Sequence, residues 1–396
     1  MRTKYTSIIA ICSIAILLLS LDSCTEKTSK QSEALENKME LVVYDSIDLP
    51  YSTMDFITDY SQDKGLFAGF FDNDIFVFSR KELQHRFNHF GGGPEQYNYL
   101  FSGNVGLLFN EDSTLVLNSF NRLKYYSFAG DFIKSTKIDD CPTCYYRKLL
   151  NSSIIDSSKL LFKGNIKEPL GKDVASSYDR HNIDNFFIQD INLNTTNHYG
   201  SFPKESIISK EKKTYRYLDP KIVYNSTSKC VDVLYSAEPR VFRYSIQDAS
   251  TYSIQDLHPE RYSKMQFEGA NQSESIEQNE SKKKYFNSSY YEYLFSKGDT
   301  IITVYRPSID KNIIDDYIHP DKPDGYFNLN IDHSKHYLNY YIDWEKQTSD
   351  MLLPNNLKIK YIGNSKNIVC IKWDQELSVN GKPVRRYYFC KLVPSS

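Results

Sequence analysis

The sequence lacks a strong excess of either charge. Its 48 lysine and arginine residues nearly balance its 50 aspartate and glutamate residues, and the formal net charge is −2. Proteins that bind nucleic acid or anionic membrane surfaces through general electrostatics carry basic patches or a basic net charge. The composition therefore gives no reason to expect nucleic acid as a partner.

Short motifs that mark common enzymes are also missing. The chain has no Gly-x-Ser-x-Gly turn for a nucleophilic serine and no His-Glu-x-x-His helix for zinc. The glycines at 91–93 are not followed by the Gly-Lys-Ser/Thr ending of a phosphate-binding loop. The acidic pairs at 139–140 and 315–316 are sequence neighbours, and neighbouring strand residues face opposite ways. We predict no catalytic residue and no cofactor from local motifs.

Long hydrophobic runs are limited to one segment near the start. Residues 8–21 form an apolar run behind Arg2 and Lys4, and the run is short for a membrane span. This arrangement is typical of a secretory signal peptide. The run ends in Leu21-Asp22-Ser23-Cys24, which resembles a bacterial lipobox, so Cys24 is the predicted lipidation site. The alternative is an ordinary signal peptide in which the cysteine has no role.

These features divide the chain into three predicted parts. Residues 1–23 are the lipoprotein signal peptide, residues 24–39 a flexible polar tether, and residues 40–396 the folded domain. The lipid anchor would make the membrane a partner and the protein an outer-membrane lipoprotein. The single acidic residue close behind the cysteine, Glu26, leaves the periplasmic and the cell-surface face both open.

The aromatic content and strand spacing indicate an all-β fold. The sequence has 32 tyrosines and 23 phenylalanines, residues that suit strands. Two successive copies of one unit occupy residues 55–90 and 103–138, each with four short apolar runs separated by turn residues. A period of roughly 45 residues with four strands per unit is typical of β-propeller blades.

Further runs predict six four-stranded antiparallel blades, the last of which is one strand short. An apolar stretch at residues 41–47 has no neighbouring partner in sequence. We predict that this N-terminal strand pairs with the C-terminal blade and closes the ring, because an open ring leaves unpaired edges. Extra residues collect at 167–184, 259–284 and 307–324, where they either line a binding face or are tolerated surface variation.

The segment after the first unit resembles a known family. The pattern Gly91-x-Gly93-Pro94-x-x-Tyr97 is similar to the Gly-x-Gly-Pro-Gly-Glu-Tyr turn of six-bladed β-propeller lipoproteins of gut-type bacteria, with Glu95 and Gln96 as departures. The following Asn121-Arg122-Leu123 turn and the hairpin at 130–133 resemble those of NHL-type blades. The resemblance implies the fold and lipoprotein status, with Gly91, Gly93 and Pro94 as a blade-connecting turn. It implies no catalytic residue.

The sharpest cysteine motif is Cys141-Pro142-Thr143-Cys144. An exported compartment favours a disulfide between Cys141 and Cys144, while a redox pair, half of a zinc site and two free thiols remain alternatives. Cys370 and Cys390 flank a turn at Asn380-Gly381. A two-residue turn would put them on opposite faces of the hairpin, so we predict no bond between them.

The histidine pairs His85/His89 and His333/His336 have spacings that could suit ligands, but scattered histidines more often serve packing or lie at the surface. We predict no metal site. The function that fits best is a membrane-anchored binding or scaffold module for a glycan or peptide. The alternatives are a propeller enzyme, a lyase or hydrolase with a site in the central channel, and a structural or assembly protein of the envelope.

Overall fold

The fold consists of six antiparallel sheets. The computed structural model describes residues 39–51, 55–97, 107–110, 114–119, 122–137, 153–156, 158–163, 186–190, 192–193, 195–199, 203–207, 210, 220–236, 238–247, 252–263, 283–319, 321–354, 357–372 and 377–395. Each sheet takes its strands from one stretch of chain, apart from the last. The prediction of an all-β, six-bladed propeller is confirmed.

Blades 1 to 3 are regular sheets of four strands in sequence order. Blade 1 contains β2 (Asp55–Ser61), β3 (Leu66–Phe71), β4 (Asp74–Phe78) and β5 (Leu83–Phe87). Blade 2 contains β6 (Leu107–Asn110), β7 (Thr114–Ser119), β8 (Arg122–Ser127) and β9 (Phe132–Lys137). Blade 3 contains β10 (Ser153–Asp156), β11 (Lys159–Lys163), β12 (Phe186–Asp190) and β13 (Thr195–Tyr199).

Blades 4 and 5 continue the series. Blade 4 contains β14 (Lys221–Asn225), β15 (Cys230–Leu234), β16 (Arg240–Ser245) and β17 (Tyr252–Asp256). Blade 5 contains β18 (Tyr290–Lys297), β19 (Thr300–Arg306) and β20 (Tyr337–Ile342), with helices α1 (Lys311–Tyr317) and α2 (Gly325–His333) inserted before β20. Its outer strand is interrupted, because β21 (Glu345–Lys346) and β22 (Met351–Leu352) both pair with β20.

Blade 6 joins the two ends of the domain. It contains β23 (Leu357–Asn364), β24 (Asn367–Lys372), β25 (Leu377–Val379) and β26 (Lys382–Pro394), with β1 (Met39–Pro50) as its outer strand. In the pairing of β1 with β26, Leu41 lies opposite Leu392 and Ile47 lies opposite Tyr387. The predicted closure of the ring by the N-terminal strand is confirmed.

The apolar pattern of the strands explains why the blades pack face to face. Every residue of β3 is buried, as expected for a strand with a neighbouring blade on each side, whereas the outer strand β17 is largely exposed. Six apolar clusters fill the six boundaries between neighbouring blades. The cluster between blades 6 and 1 includes Ile47 and Leu49 of β1. Ring closure is therefore supported by packing as well as by strand pairing.

The connections between strands separate by length onto two faces of the ring. Successive strands are antiparallel, so the first and third connections of each blade lie at one face and the others at the opposite face. The first and third connections are short, and the longest of them is residues 246–251. We call the face at which they join the strands the short-turn face. The strand ends that the long connections join all lie at the other side, which we call the long-loop face. These connections are residues 88–106, 138–152, 164–185, 200–220, 257–289 and 307–336.

Candidate functional site at the long-loop face and the channel mouth

The insertion in blade 5 forms a helical cap on the long-loop face. Asp310 caps the N-terminus of α1 by accepting a hydrogen bond from the Asn312 N–H at 2.8 Å. The two helices share a small apolar core that is separate from the six blade boundaries. This core consists of Phe286, Ile309, Ile314, Ile318 and Leu329. Part of the predicted insertion at 307–324 is thus a packed structure.

Arg306, the last residue of β19, fastens this cap to the blade. Its side chain is 1% exposed, and its guanidinium donates to the carbonyl oxygens of Tyr285 at 2.7 Å and Ser288 at 3.3 Å. The same group lies 4.4 Å from the centroid of the Tyr285 ring and 4.9 Å from that of Phe286. One buried cation therefore fixes the segment that precedes β18.

The innermost strands form a closed ring around the central axis. Each of β2, β6, β10, β14, β18 and β23 contacts the next, and β23 contacts β2. Four of these six strands carry at least one β-bulge, which leaves a residue without a cross-strand partner. The extra residues are Thr58, Ile155 and Glu292 in three of the strands, and Lys360 and Gly363 in β23. Bulges redirect side chains and often accompany functional sites, so these positions mark the channel as a candidate site.

The acidic residue among these positions is Glu292, which lies near the long-loop end of the channel. Its Oε1 lies 3.2 Å from Nε2 of His336, and the two side chains are 16% and 13% exposed. Burial by itself would raise the pKa of Glu292. The adjacent His336 imidazole, with Lys358 and Arg306, outweighs burial and holds the pKa of Glu292 well below its usual range. The pair is therefore a fixed carboxylate beside an imidazole that it orients.

A second carboxyl group, that of Asp59, lies within the inner strand β2 of blade 1. It accepts hydrogen bonds from the backbone N–H of Phe109 and of Tyr60, both at 2.8 Å, and from the Tyr361 hydroxyl at 3.4 Å. Burial raises the pKa of Asp59 to about 6 in spite of these bonds, which lower it. Asp59 contacts strands of three blades, so its position is explained by blade assembly.

The predicted blade-connecting turn, Gly91 to Pro94, lies between β5 and β6. The turn is closed by the Gly91 N–H, which donates to the Tyr97 carbonyl oxygen at 2.9 Å. Nearly buried Lys124 donates its ammonium protons to the carbonyl oxygens of Pro94, at 3.0 Å, and of Gln96. Burial lowers the pKa of Lys124, and the nearby Arg122 charge adds to the shift. These contacts give the turn a structural role.

Positive φ, the usual reason for glycine in a turn, does not explain the glycines at 91–93. None of the three has positive φ, which occurs instead at Gly65, Gly130, Gly298 and Gly381. The Gln96 side chain folds back over the turn and accepts a hydrogen bond from the Gly93 N–H at 2.7 Å. A Cβ atom at Gly93 would lie 2.9 Å from Gln96 Oε1, and one at Gly91 would clash with the same side chain. Close approach by Gln96 therefore accounts for Gly91 and Gly93, whereas a Cβ atom at Gly92 would meet nothing within 4 Å.

The structure tests only some of the predictions made for the cysteines. Cys24, Cys141 and Cys144 lie outside the described residues. Cys370 and Cys390 are free thiols, but they share one face of the sheet, contrary to the predicted opposite faces. Val379 pairs with Lys382 as a two-residue turn requires, whereas Cys370 pairs with Tyr388, a register displaced by three residues. An odd displacement exchanges the two faces.

The histidines that are close in sequence are separated in the structure. His89 contacts the Gly130 carbonyl oxygen at 2.8 Å, whereas His85 lies in β5. His333 contacts the Tyr317 hydroxyl at 3.3 Å, and His336 contacts Glu292. Within the described ranges, no group of three or more His, Cys, Asp or Glu side chains could hold a metal ion. In the same part of the chain, no helix is long and apolar enough to cross a bilayer.

Sequence reasoning missed the Glu292–His336 pair. The two residues are 44 positions apart, with β19 and the helical cap between them. The close spacing of His333 and His336 suggested that these two histidines could act together, whereas His336 contacts Glu292. The bulge at Glu292 follows from how β18 pairs with β19, and it leaves no pattern of residue types in the sequence. The contact between Glu292 and His336 could therefore not be predicted from the sequence.

Comparison with known proteins shows the fold. No family model matches the sequence, and no curated protein matches it. A solved member of the DUF4221 family from Bacteroides vulgatus is similar, with a TM-score of 0.62 and 13% identity over 91% of this chain and 100% of that one. A protein named as exported, from Bacteroides fragilis, has a TM-score of 0.53 and 10% identity over 91% of this chain and 97% of that one. At these identities the likeness shows a shared fold and nothing more.

Proposed function

We propose that this protein is an exported, lipid-anchored binding module whose long-loop face takes a glycan or a peptide. The observation that carries the proposal is the position of β1, which begins at the short-turn face, where Met39 pairs with Pro394. A tether from Cys24 would enter the domain at this face. The long-loop face, with all the long connections, would then point away from the membrane. The propeller fold is compatible with such a binding role.

Exposed aromatic residues on the cap support a ligand site at the long-loop face. Tyr326 and Phe327 of α2 are 39% and 55% exposed, beside the small core that holds the helix in place. Aromatic side chains give a large contact area at low entropic cost when a ligand binds. A rigid helix that presents two of them is a suitable platform for a sugar ring or an apolar peptide side chain.

The anchor is tested by fractionation of cells that produce the natural protein or Cys24→Ala. We expect the natural protein in the outer-membrane fraction and the variant in the soluble fraction. Protease added to intact cells then distinguishes the cell surface from the periplasm. An unchanged distribution of Cys24→Ala would contradict the lipid anchor.

The binding site is tested with the full-length protein, solubilised in a neutral detergent, on glycan and peptide arrays. Tyr326→Ala and Phe327→Ala should reduce the signal of any specific ligand at least tenfold. The matched control is Leu193→Ala, since Leu193 is 71% exposed but lies in the β12–β13 connection at the short-turn face. Equal loss in the control, or none in the two cap variants, would exclude the cap as the binding site.

The Glu292–His336 pair favours a second candidate, an enzyme with its site at the channel mouth. An imidazole held by a carboxylate 3.2 Å away can accept or donate a proton. A screen of lyase and hydrolase substrates would reveal turnover that Glu292→Gln and His336→Asn both abolish. Turnover that survives both changes would remove this candidate.

A further inference from the structure

A groove on the short-turn face lies between blade 6 and blade 1. Its volume is about 540 Å³, within the range of small-molecule sites. It is bounded by the outer strands of blade 6, the β23–β24 turn and the β4–β5 turn of blade 1. Its polar lining consists of Tyr44, Tyr60, Arg80, Lys366, Asn367 and Lys391. Tyr44 belongs to β1 and the other lining residues to blades 1 and 6, so the groove lies where β1 closes the ring.

Tyr44 is directed into this groove by a β-bulge. In β1, Val43 lies opposite Cys390 and Asp45 opposite Phe389, so Tyr44 is the extra residue between them. Its hydroxyl donates to the Lys366 carbonyl oxygen at 3.1 Å and accepts from Nη1 of Arg80 at 3.3 Å. The Arg80 guanidinium also lies 5.5 Å from the centroid of the Tyr44 ring. Tyr44 thus holds Arg80 in one place at the rim.

The lining is cationic. Arg80, Lys366 and Lys391 contribute three positive charges, and the lining includes no carboxylate. Lys391 has its ammonium group 5.7 Å from the Tyr44 ring, on the same outer edge of blade 6. Across the part of the chain that the structure describes, none of the three forms an ion pair with an acidic side chain. The hydrogen bond to the Tyr44 hydroxyl is the main cause of a raised pKa of Arg80; burial opposes it, and the charge of Asp45 adds a smaller raising contribution.

Tyr60 forms the wall on the blade 1 side. Its ring packs on Phe67 with 4.5 Å between centroids, and a Cβ atom at Gly363 would lie 2.7 Å from the ring. The absence of a side chain at Gly363 therefore lets Tyr60 fill this position. With Leu392 and Val393, the wall gives the groove an apolar side next to its three cations. Such a lining suits a ligand with one anionic group and a larger uncharged body.

We propose that this groove binds a phosphate monoester. At neutral pH the group carries up to two negative charges and three acceptor oxygens, which the Arg80 fork and two lysine ammonium groups can match. The ester could be a soluble metabolite or the headgroup of a lipid. The lipid source rests on the proposed anchor, since the groove shares its face with the start of β1, where the tether would enter.

The first test uses the Cys24→Ala protein, so that its result is independent of the anchor. Calorimetry at low ionic strength should detect binding of glucose 6-phosphate and none of glucose. Arg80→Gln and Lys391→Gln should each weaken binding about tenfold or more. Tyr44→Phe keeps the ring and every charge but removes the hydroxyl that positions Arg80, and should weaken binding by a smaller factor.

The matched control is Lys134→Gln. Lys134 is also a lysine over a tyrosine ring on an outer strand, 4.6 Å from the Tyr125 centroid, but it belongs to blade 2. Thermal unfolding of each variant verifies that it is folded. Equal binding of glucose and glucose 6-phosphate, or equal weakening by Lys134→Gln, would overturn the proposal.

The second test distinguishes the two sources. Phosphatidylcholine vesicles with one part in ten of phosphatidic acid, a phosphate monoester, are compared with vesicles of equal charge containing phosphatidylglycerol, a diester. Stronger retention by phosphatidic acid that is lost in Arg80→Gln assigns the groove to a headgroup. Equal retention by both, together with binding of glucose 6-phosphate, assigns it to a soluble ester. Binding to neither glucose 6-phosphate nor phosphatidic acid would refute the proposal, whatever the fate of the anchor.

Discussion

The carboxyl group of Asp59 and the backbone N–H of Phe109 form a 2.8 Å hydrogen bond across the boundary between blades 1 and 2. This bond joins β2 to β6, the innermost strands of the two blades that the glycine turn connects. Burial outweighs this hydrogen bond and raises the pKa of Asp59 to about 6, so the stability of the ring depends on pH.

The sign of that dependence follows from proton binding. Between the unfolded pKa near 4 and the folded pKa near 6, the folded state binds more protons, so the free energy of unfolding falls as pH rises. The contribution amounts to at most about 3 kcal/mol. Asp59→Asn should remove this slope between pH 4 and pH 6, with a constant loss from the altered hydrogen bonds. Urea unfolding of both proteins across this range provides the measurement, and parallel pH profiles would contradict it.

Because β1 closes the ring, substitutions at different positions along it should lower the free energy of unfolding by unequal amounts. Leu49 is fully buried in the cluster between blades 6 and 1, so Leu49→Ala should lower the free energy of unfolding by about 2–5 kcal/mol. Val43 lies in the same strand but is 45% exposed, and Val43→Ala should cost less than about 1 kcal/mol. Deletion of residues 41–47 should lower the thermal midpoint sharply. An unchanged midpoint would mean that β1 does not support the ring.

The ammonium group of Lys124 should stabilise the glycine turn. Lys124→Met keeps the apolar stem but leaves the carbonyl oxygens of Pro94 and Gln96 without their cation, at a cost of about 1–3 kcal/mol. Lys134→Met changes an exposed lysine of the next strand and should cost less than about 1 kcal/mol. Chemical denaturation of the two variants compares them, and equal midpoints would show that the turn does not need the cation.

Two arginines of β16 make a matched pair. Arg243 binds the fully buried Asp232 through two hydrogen bonds of 2.7 and 2.8 Å, and Arg243→Ala should destabilise the protein by about 3–5 kcal/mol by leaving that carboxylate unpaired. Arg240 pairs with the exposed Asp256 and lies 3.9 Å from the buried Glu238 carboxylate, so Arg240→Ala should cost less, about 1–2 kcal/mol. Thermal unfolding above pH 6 tests the difference, and similar midpoints for both variants would contradict it.

The sequence was sufficient to predict the architecture because a propeller repeats a local pattern. Short apolar runs with turn residues between them identify the strands, and an unpartnered run at residues 41–47 identifies the closing strand. The structure adds that Cys370 pairs with Tyr388, a register displaced by three residues from that of Val379 and Lys382. A small shift of this kind depends on tertiary packing and leaves no mark in hydrophobic periodicity.

The candidate sites were largely invisible in the sequence. Glu292 and His336 meet across a bulge and a helical insertion. The groove combines Tyr44, Arg80 and Lys391, which come from the beginning, the first blade and the end of the domain. Reading such a site requires knowing which blades become neighbours and where one strand gains an extra residue, and both are properties of the closed ring.

The pairing of β1 with β26 also fixes an order of events during synthesis. Asp48 and Arg386 form a bidentate ion pair at 2.6 and 2.7 Å although they are 338 positions apart. The strand that leaves the ribosome first must wait for almost the last residues before it finds its partner. A chain stalled or truncated before β26 keeps an open edge on its first segment, so quality control of an incomplete chain can act on the strand that was made earliest.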